Sequence, residues 1–328
     1  IVLGGFSIAL MIPLLFVSRF LLGAFQGPLF PATAGGVIAR WFPSGSWALP
    51  NGMTSTALAL GSASTPPIIV YLAEYFGWES TFFLISILGV IGALIWWKYS
   101  TNWPTEHPDI NREELELIGQ SDFNNNQMSW PLIKEVLTNK DVLFTALGYM
   151  SMNYVFFIFY SWIFIYFVTI RGFNMLEGSL LASLPFLMGA IGATCGGFLC
   201  DRLQMRYGVT WGHRIPIFIG LIPSAAFLLF GSITENPYLA VLSLSLCYGF
   251  IELTEGPFWS TIGFISDKPQ AAGGILNTGG NLGGVLATPL IPIMVAQYDW
   301  VIALNTGGVF AFLGVLFFMQ VKFKETDE

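Results

Sequence analysis

Glu252 and Glu255 stand three residues apart in an otherwise apolar run, Leu246-Cys247-Tyr248-Gly249-Phe250-Ile251 before them and Phe258-Trp259 after. A spacing of i, i+3 puts both carboxyls on one face of a helix. A lone charge near the centre of hydrocarbon costs at least about 2.5–3.5 kcal/mol on insertion scales, so each must face a cavity or a partner. Two carboxyls in one poorly hydrated place can share a proton and give it up again, chemistry that moves protons and breaks no bonds. The plain alternative is a pair of structural hydrogen bonds to neighbouring helices. Arg19 is the third charge of this kind, and Gln26 follows it by seven residues. Two turns of helix, about 10.5 Å, keep them on one face. A guanidinium there can attract an anion or balance charge in a cavity; otherwise it snorkels toward the helix end.

Amides and aromatics extend the set. Asn277 and Asn281 are four residues apart and share a helix face, where an amide either binds a neighbouring helix or points into a cavity. Trp259 offers a flat apolar ring and one hydrogen-bond donor. Asn153, Tyr154 and Tyr160 supply polar groups to a Phe-rich stretch. His107 and His213 read as residues of polar loops, and Cys195, Cys200 and Cys247 form no spacing motif. No metal and no cofactor is therefore expected.

These residues need membrane helices to hold them. The chain has 328 residues, of which 54% are hydrophobic and only 10% charged, with a mean hydropathy of +0.67. Soluble proteins carry about 25% charged residues. The net charge of −7 is mostly the work of one loop and gives no sign of a nucleic-acid partner. Apolar segments of the roughly 20 residues a span requires fall at 13–39, 47–75, 79–99, 141–168, 177–200, 214–232, 237–264, 271–297 and 300–321. Residues 1–11 read as the tail of a further helix.

A duplication links them. Residues 274–300 lie over residues 52–78 without a gap, matching Gly274 to Gly52, Thr278 to Thr56, Gly283 to Gly61, Pro289 to Pro67 and Trp300 to Trp78. At an offset of 229, Gly256-Pro257 repeats Gly27-Pro28, and Glu255 then falls on Gln26. Internal repeats of membrane-length segments mark secondary transporters, whose substrate site lies between the repeats. The expected organisation is the end of a first bundle at 1–100, an inter-bundle loop at 101–140, a second bundle at 141–321 and a tail at 322–328. The same arithmetic, 141 − 222 = −81, sets the expected start of the first half about 80 residues before residue 1. The nine spans then count as helices 4 to 12 of a twelve-helix, all-α fold of two pseudo-symmetric bundles. Glycines 52, 61, 279, 280, 283 and 284 are expected to let helices approach.

Basic residues orient the chain. Arg40, Lys98, Arg112, Lys134, Lys140, Arg202, Arg206, Arg214, Lys268, Lys322 and Lys324 fall on one side, and only Arg171 on the other. The 101–140 loop and the C-terminus are thus expected in the cytoplasm of a multi-pass protein of the inner (plasma) membrane. Within the loop, Asn111 and Glu114 have the spacing of a helix start, and 120–129 reads as a flexible linker.

Gly197-Phe198-Leu199-Cys200-Asp201-Arg202, with Arg206 four residues on, resembles the Gly-x-x-x-Asp-Arg loop signature of the major facilitator superfamily. Arg19-Phe20-Leu21-Leu22-Gly23 before Gly27-Pro28, Glu106-His107-Pro108, and Gly274-Ile275-Leu276-Asn277 before Asn281-Leu282-Gly283-Gly284 narrow it to the anion:cation symporter family. That family includes bacterial sugar-acid and hexuronate permeases and the sialin-type carriers. The resemblance covers the whole chain and implies a carrier of small organic anions, coupled to protons or cations and working by alternating access. It places Arg19, Trp259 and Asn277 at the substrate site. It also expects a proton-coupling Glu where Gln26 stands, and a polar helix-5 residue where Leu58 stands.

The expectation is a monomeric importer that moves a sugar acid or other carboxylate with protons across a lipid bilayer. Substrate would meet Arg19, Gln26, Asn153, Tyr154, Trp259, Asn277 and Asn281. Glu255 would carry the coupling proton, with Glu252 sharing it, and Asp201, Arg202 and Arg206 would form a gate. The alternatives are an uncoupled or potential-driven facilitator or exchanger, a non-transporting receptor or scaffold, and an incomplete chain with no activity of its own. An embedded enzyme would need a His/Asp/Ser constellation or metal ligands within the helices, and the apolar segments contain neither.

Overall fold

A computed structural model describes residues 8–29, 32–43, 46–118 and 130–323; among them the fold is all-α. Eight long helices carry it: α1 (Ile8–Gln26), α2 (Ala48–Tyr99), α3 (Lys140–Thr169), α4 (Met175–Ile233), α5 (Pro237–Glu252), α6 (Glu255–Ile265), α7 (Pro269–Gln297) and α8 (Trp300–Met319). At 52 and 59 residues, α2 and α4 are far longer than one bilayer crossing. Each is two spans joined at a glycine in the left-handed region, Gly77 (φ 77°) and Gly208 (φ 78°). Only glycine takes that φ without strain. The expected pairs 47–75 with 79–99 and 177–200 with 214–232 are therefore present.

Four expectations are corrected. Residues 8–11 are not the tail of a separate helix, because α1 runs unbroken from Ile8 through Pro13 to Gln26. The expected span 13–39 stops at Gln26, at Gly27-Pro28, and resumes as a π-helical stretch, Ala32–Ile38. The expected span 237–264 is also interrupted, at Leu253-Thr254, just before Gly256-Pro257. Proline lacks the N–H that a continuing helix needs. Both halves thus break beside the repeated Gly-Pro, although the second break falls three residues earlier in the register of the repeat. His213 is the fourth correction. It lies in no polar loop but is fully buried in α4, because the helix resumes directly after Gly208.

Side chains close the helix starts. Asn139, Asn174, Asn236 and Asp299 accept backbone N–H bonds at the beginnings of α3, α4, α5 and α8, each cap contributing about 1 kcal/mol. Asn111 and Glu114 exchange bonds of 2.8 and 3.2 Å at the start of the short helix Arg112–Ile118, as their spacing predicts. The linker at 120–129 lies outside the described residues.

The core centres on α3, whose Tyr154, Phe159, Tyr166 and Phe167 are buried among α4, α5, α7 and α8. Glycines set the closest approaches. A Cβ on Gly192 would sit 1.9 Å from the Gly249 carbonyl oxygen, and one on Gly196 would sit 1.9 Å from that of Leu253. Gly52, Gly279, Gly280, Gly283 and Gly284 are tight in the same way, whereas Gly61 meets nothing within 4 Å. Residues 12–29 of and after α1 are exposed throughout.

Candidate functional site

The break between α5 and α6 determines where the two carboxyls go. Leu253 and Thr254 keep helical dihedrals but tighten, with the Thr254 N–H reaching back three residues to Ile251 O at 3.0 Å. Glu252 ends α5 and Glu255 begins α6, and both are buried, at 3% and 7% exposure. They stay close enough to act on one another electrostatically.

Glu255 is the centre of a three-group cluster. The Tyr149 hydroxyl, from α3, donates to Glu255 Oε1 at 2.7 Å. The Trp259 indole N–H, one turn along α6, is shared between that same oxygen and the Tyr149 hydroxyl oxygen, at 3.0 Å each. Two donors on one oxygen suit an ionised carboxylate, since such bonds are about twice as strong as neutral ones. Glu252 is held differently. Tyr248 faces it from one turn earlier in α5, Gly189 of α4 lies against both side chains, and Oε1 is buried with no hydrogen-bond partner among the described residues.

Of the expected site residues, Trp259, Glu252 and Glu255 therefore come together. Tyr149 completes the group and was not singled out from the sequence, although it precedes Asn153 by one turn on the same helix face. Asn153 is buried but turns back on its own helix, donating to Tyr149 O at 3.0 Å. Tyr154 points away from the cluster: its hydroxyl pairs with Thr306 at 2.8 Å and its ring stacks on Phe310 at 3.9 Å. Tyr160 is exposed.

The remaining candidates lie elsewhere. Arg19 and Gln26 are exposed on α1, and neither makes a hydrogen bond or ion pair among the described residues. Asn277 donates to the Gly27 carbonyl at 2.9 Å, tying α7 to the turn after α1, and Asn281 donates to Asn277 O. Asp201 crosses from α4 to the start of α2, where its carboxylate accepts the N–H groups of Ala48 at 3.1 Å and Leu49 at 2.9 Å. Glycines make this reach possible, since a Cβ on Gly197 or Gly256 would meet Ala48 O at 2.5 or 2.6 Å. Arg202 and Arg206 are exposed and lie over rings of their own helix, Phe198 and Tyr207. A nearby buried pair that the sequence hid is His213 Nε2 with Ser260 Oγ, 2.8 Å apart.

A cavity of about 560 Å³ lies between α3, α7 and the helix Trp130–Thr138, and neither carboxyl lines it. Its lining, including Ile133, Leu147, Met150, Ile275 and Leu282, carries no charge. Among the described residues no group of three His, Cys, Asp or Glu side chains could hold a metal ion.

Known proteins are similar to the chain in sequence. The chain is 32% identical over 305 residues to the probable galactarate/D-glucarate transporter GudP of Bacillus subtilis, covering 88% of this chain and 65% of that protein. It is 29% identical over 326 residues to the hexuronate transporter of the same organism, covering 97% and 75%. Against the probable galactarate/D-glucarate transporter GarP of Escherichia coli it is 30% identical, covering 84% and 65%. The chain thus spans about two thirds to three quarters of the length of these relatives. Residues 1–272 match the model of the Major Facilitator Superfamily. That match covers most of the chain: the chain belongs to the Major Facilitator Superfamily, a family of membrane transport proteins.

Proposed function

We propose that this protein imports a small organic anion, a sugar acid or related carboxylate, together with protons by alternating access. The observation that carries the proposal is the buried pair Glu252 and Glu255, which has no cation among its hydrogen-bond or ion-pair partners in the described residues. Two charged carboxyls so placed would repel an incoming anion and each other. Taking up a proton removes that cost, so proton and anion favour each other's binding. The named substrates of the relatives, galactarate, D-glucarate and hexuronate, supply the substrate class.

Arg19 is the basic side chain offered to the anion in the first half, and Trp259 the aromatic in the second. Gln26, Asn153, Asn277 and Asn281 are secondary candidates that the present geometry engages in helix contacts or leaves exposed, whereas Tyr154, paired with Thr306, is given a packing role. Asp201 serves as a latch between 1–100 and 141–321, while Arg202 and Arg206 are free to face lipid headgroups or to trade partners when the latch opens. The basic side, with the C-terminus, is placed in the cytoplasm of a monomeric plasma-membrane protein.

The test is uptake of labelled galactarate, glucarate and glucuronate into vesicles with and without an imposed pH gradient. The gradient is expected to drive accumulation, and Glu255→Gln is expected to abolish that response. Accumulation that ignores the gradient, or a Glu255→Gln variant that retains it, overturns the coupling and favours the potential-driven facilitator suggested by Gln26.

A further inference from the structure

Tyr149 has no assigned part, yet it is the only residue of α3 that reaches the α6 carboxyl among the described hydrogen bonds. Its position is closely determined. The ring packs at 5.5 Å from Phe258 and 5.9 Å from Trp259, and a Cβ on Gly280 of α7 would lie 2.5 Å from Cε1. Its carbonyl accepts the Asn153 amide. The hydroxyl is thereby aimed at Glu255 from a helix other than the one that carries the carboxyl.

We propose that Tyr149 is the positioning residue that converts the protonation of Glu255 into a change in the contact between α3 and α6. While the carboxyl is ionised, phenol and indole both donate to Oε1, and the two bonds that involve the phenol, to Oε1 and from the indole, hold α3 to α6. Adding a proton removes the charge that makes the bonds to Oε1 strong. The contact slackens, and α6 is released to move against α3. The inference rests on the proposed role of Glu255, and it adds the residue through which that role reaches a second helix. The titratable groups that face Glu255 are Tyr149 from α3 and Glu252 and Tyr248 from α5. Glycines of α2 and α7 pack around the group, Gly52 against Gly256 and Gly280 against Tyr149, and bring no charge.

Infrared difference spectra between acid and alkaline pH test this on the purified full chain without a substrate. The carboxylic-acid C=O band lost in Glu255→Gln identifies the group. In Tyr149→Phe the midpoint of that band is expected to move to higher pH by about one unit, a tenfold change in proton affinity. Trp259→Phe, which removes the other donor from the same oxygen, is expected to move it the same way, so the test survives if one variant does not fold. In vesicles the pH profile of glucuronate uptake should shift with the band in the Tyr149 variant. A band and profile unmoved in both variants overturn the positioning role while leaving Glu255 itself in place. Absence of any band that Glu255→Gln removes overturns both.

Discussion

Replacing Asp201 by asparagine isolates the contact that joins α4 to the start of α2. The carboxylate accepts two backbone N–H groups at 3.1 and 2.9 Å. Asparagine keeps one acceptor oxygen, and its amide then faces the second N–H, donor against donor. Hydrogen bonds to a charged group are worth about 1.5–3 kcal/mol each, and a negative charge at a helix N-terminus adds about 0.3–1 kcal/mol. Allowing for partial exposure, the joined arrangement should lose about 2 kcal/mol, equivalent to about 30-fold in its population. Cys200, the preceding residue, is fully buried and reports on that population. With Cys195 and Cys247 replaced by alanine, a water-soluble thiol reagent should label Cys200 about 30-fold faster in Asp201→Asn than in the parent. Asp201→Glu, which keeps the charge but displaces it, should fall between them. Labelling rates equal to within about twofold would refute the reasoning, since an N-terminal bond that leaves the opening equilibrium untouched cannot be a latch.

Two further outcomes follow from packing. Gly196→Ala places a Cβ 1.9 Å from Leu253 O, a backbone atom that cannot swing aside, so α4 and α5 must part. A loss of about 1–3 kcal/mol is expected, read as a lowered Tm in detergent, whereas Gly61→Ala, which meets nothing within 4 Å, should leave Tm unchanged. Tyr154→Phe removes only the bond to Thr306, so a cost of about 1 kcal/mol in stability with an unchanged KM for glucuronate is expected. A raised KM would return Tyr154 to the substrate site.

Sequence periodicity located the spans because hydrocarbon demands about 20 apolar residues per crossing. It also flagged Glu252 and Glu255, because charges in such runs are costly. It was weaker on which way a polar side chain points. Helix α3 is buried on nearly all sides, so its pattern of Phe, Tyr and Ile does not distinguish the face toward α8, which takes Tyr154, from the face toward α6, which takes Tyr149. His213 was misjudged for a related reason. The charged residues around it suggested a loop, but a single glycine turn returns the chain to helix and buries the ring against Ser260.

Arg171, the one basic residue expected on the acidic side, clasps the end of α4. Its guanidinium donates to the carbonyls of Gly231, Ser232 and Thr234 and to the Tyr166 hydroxyl, at 2.6–3.1 Å. At the opposite rim Arg214 holds the carbonyls of Met319 and Val321, Asn139 holds that of Ile265, and Asp141 accepts the Lys322 N–H. Side chain-to-backbone stitches of this kind bind residues 139–323 at both rims. Braced from two ends, these helices resist splaying apart even where the packing between them is loosened.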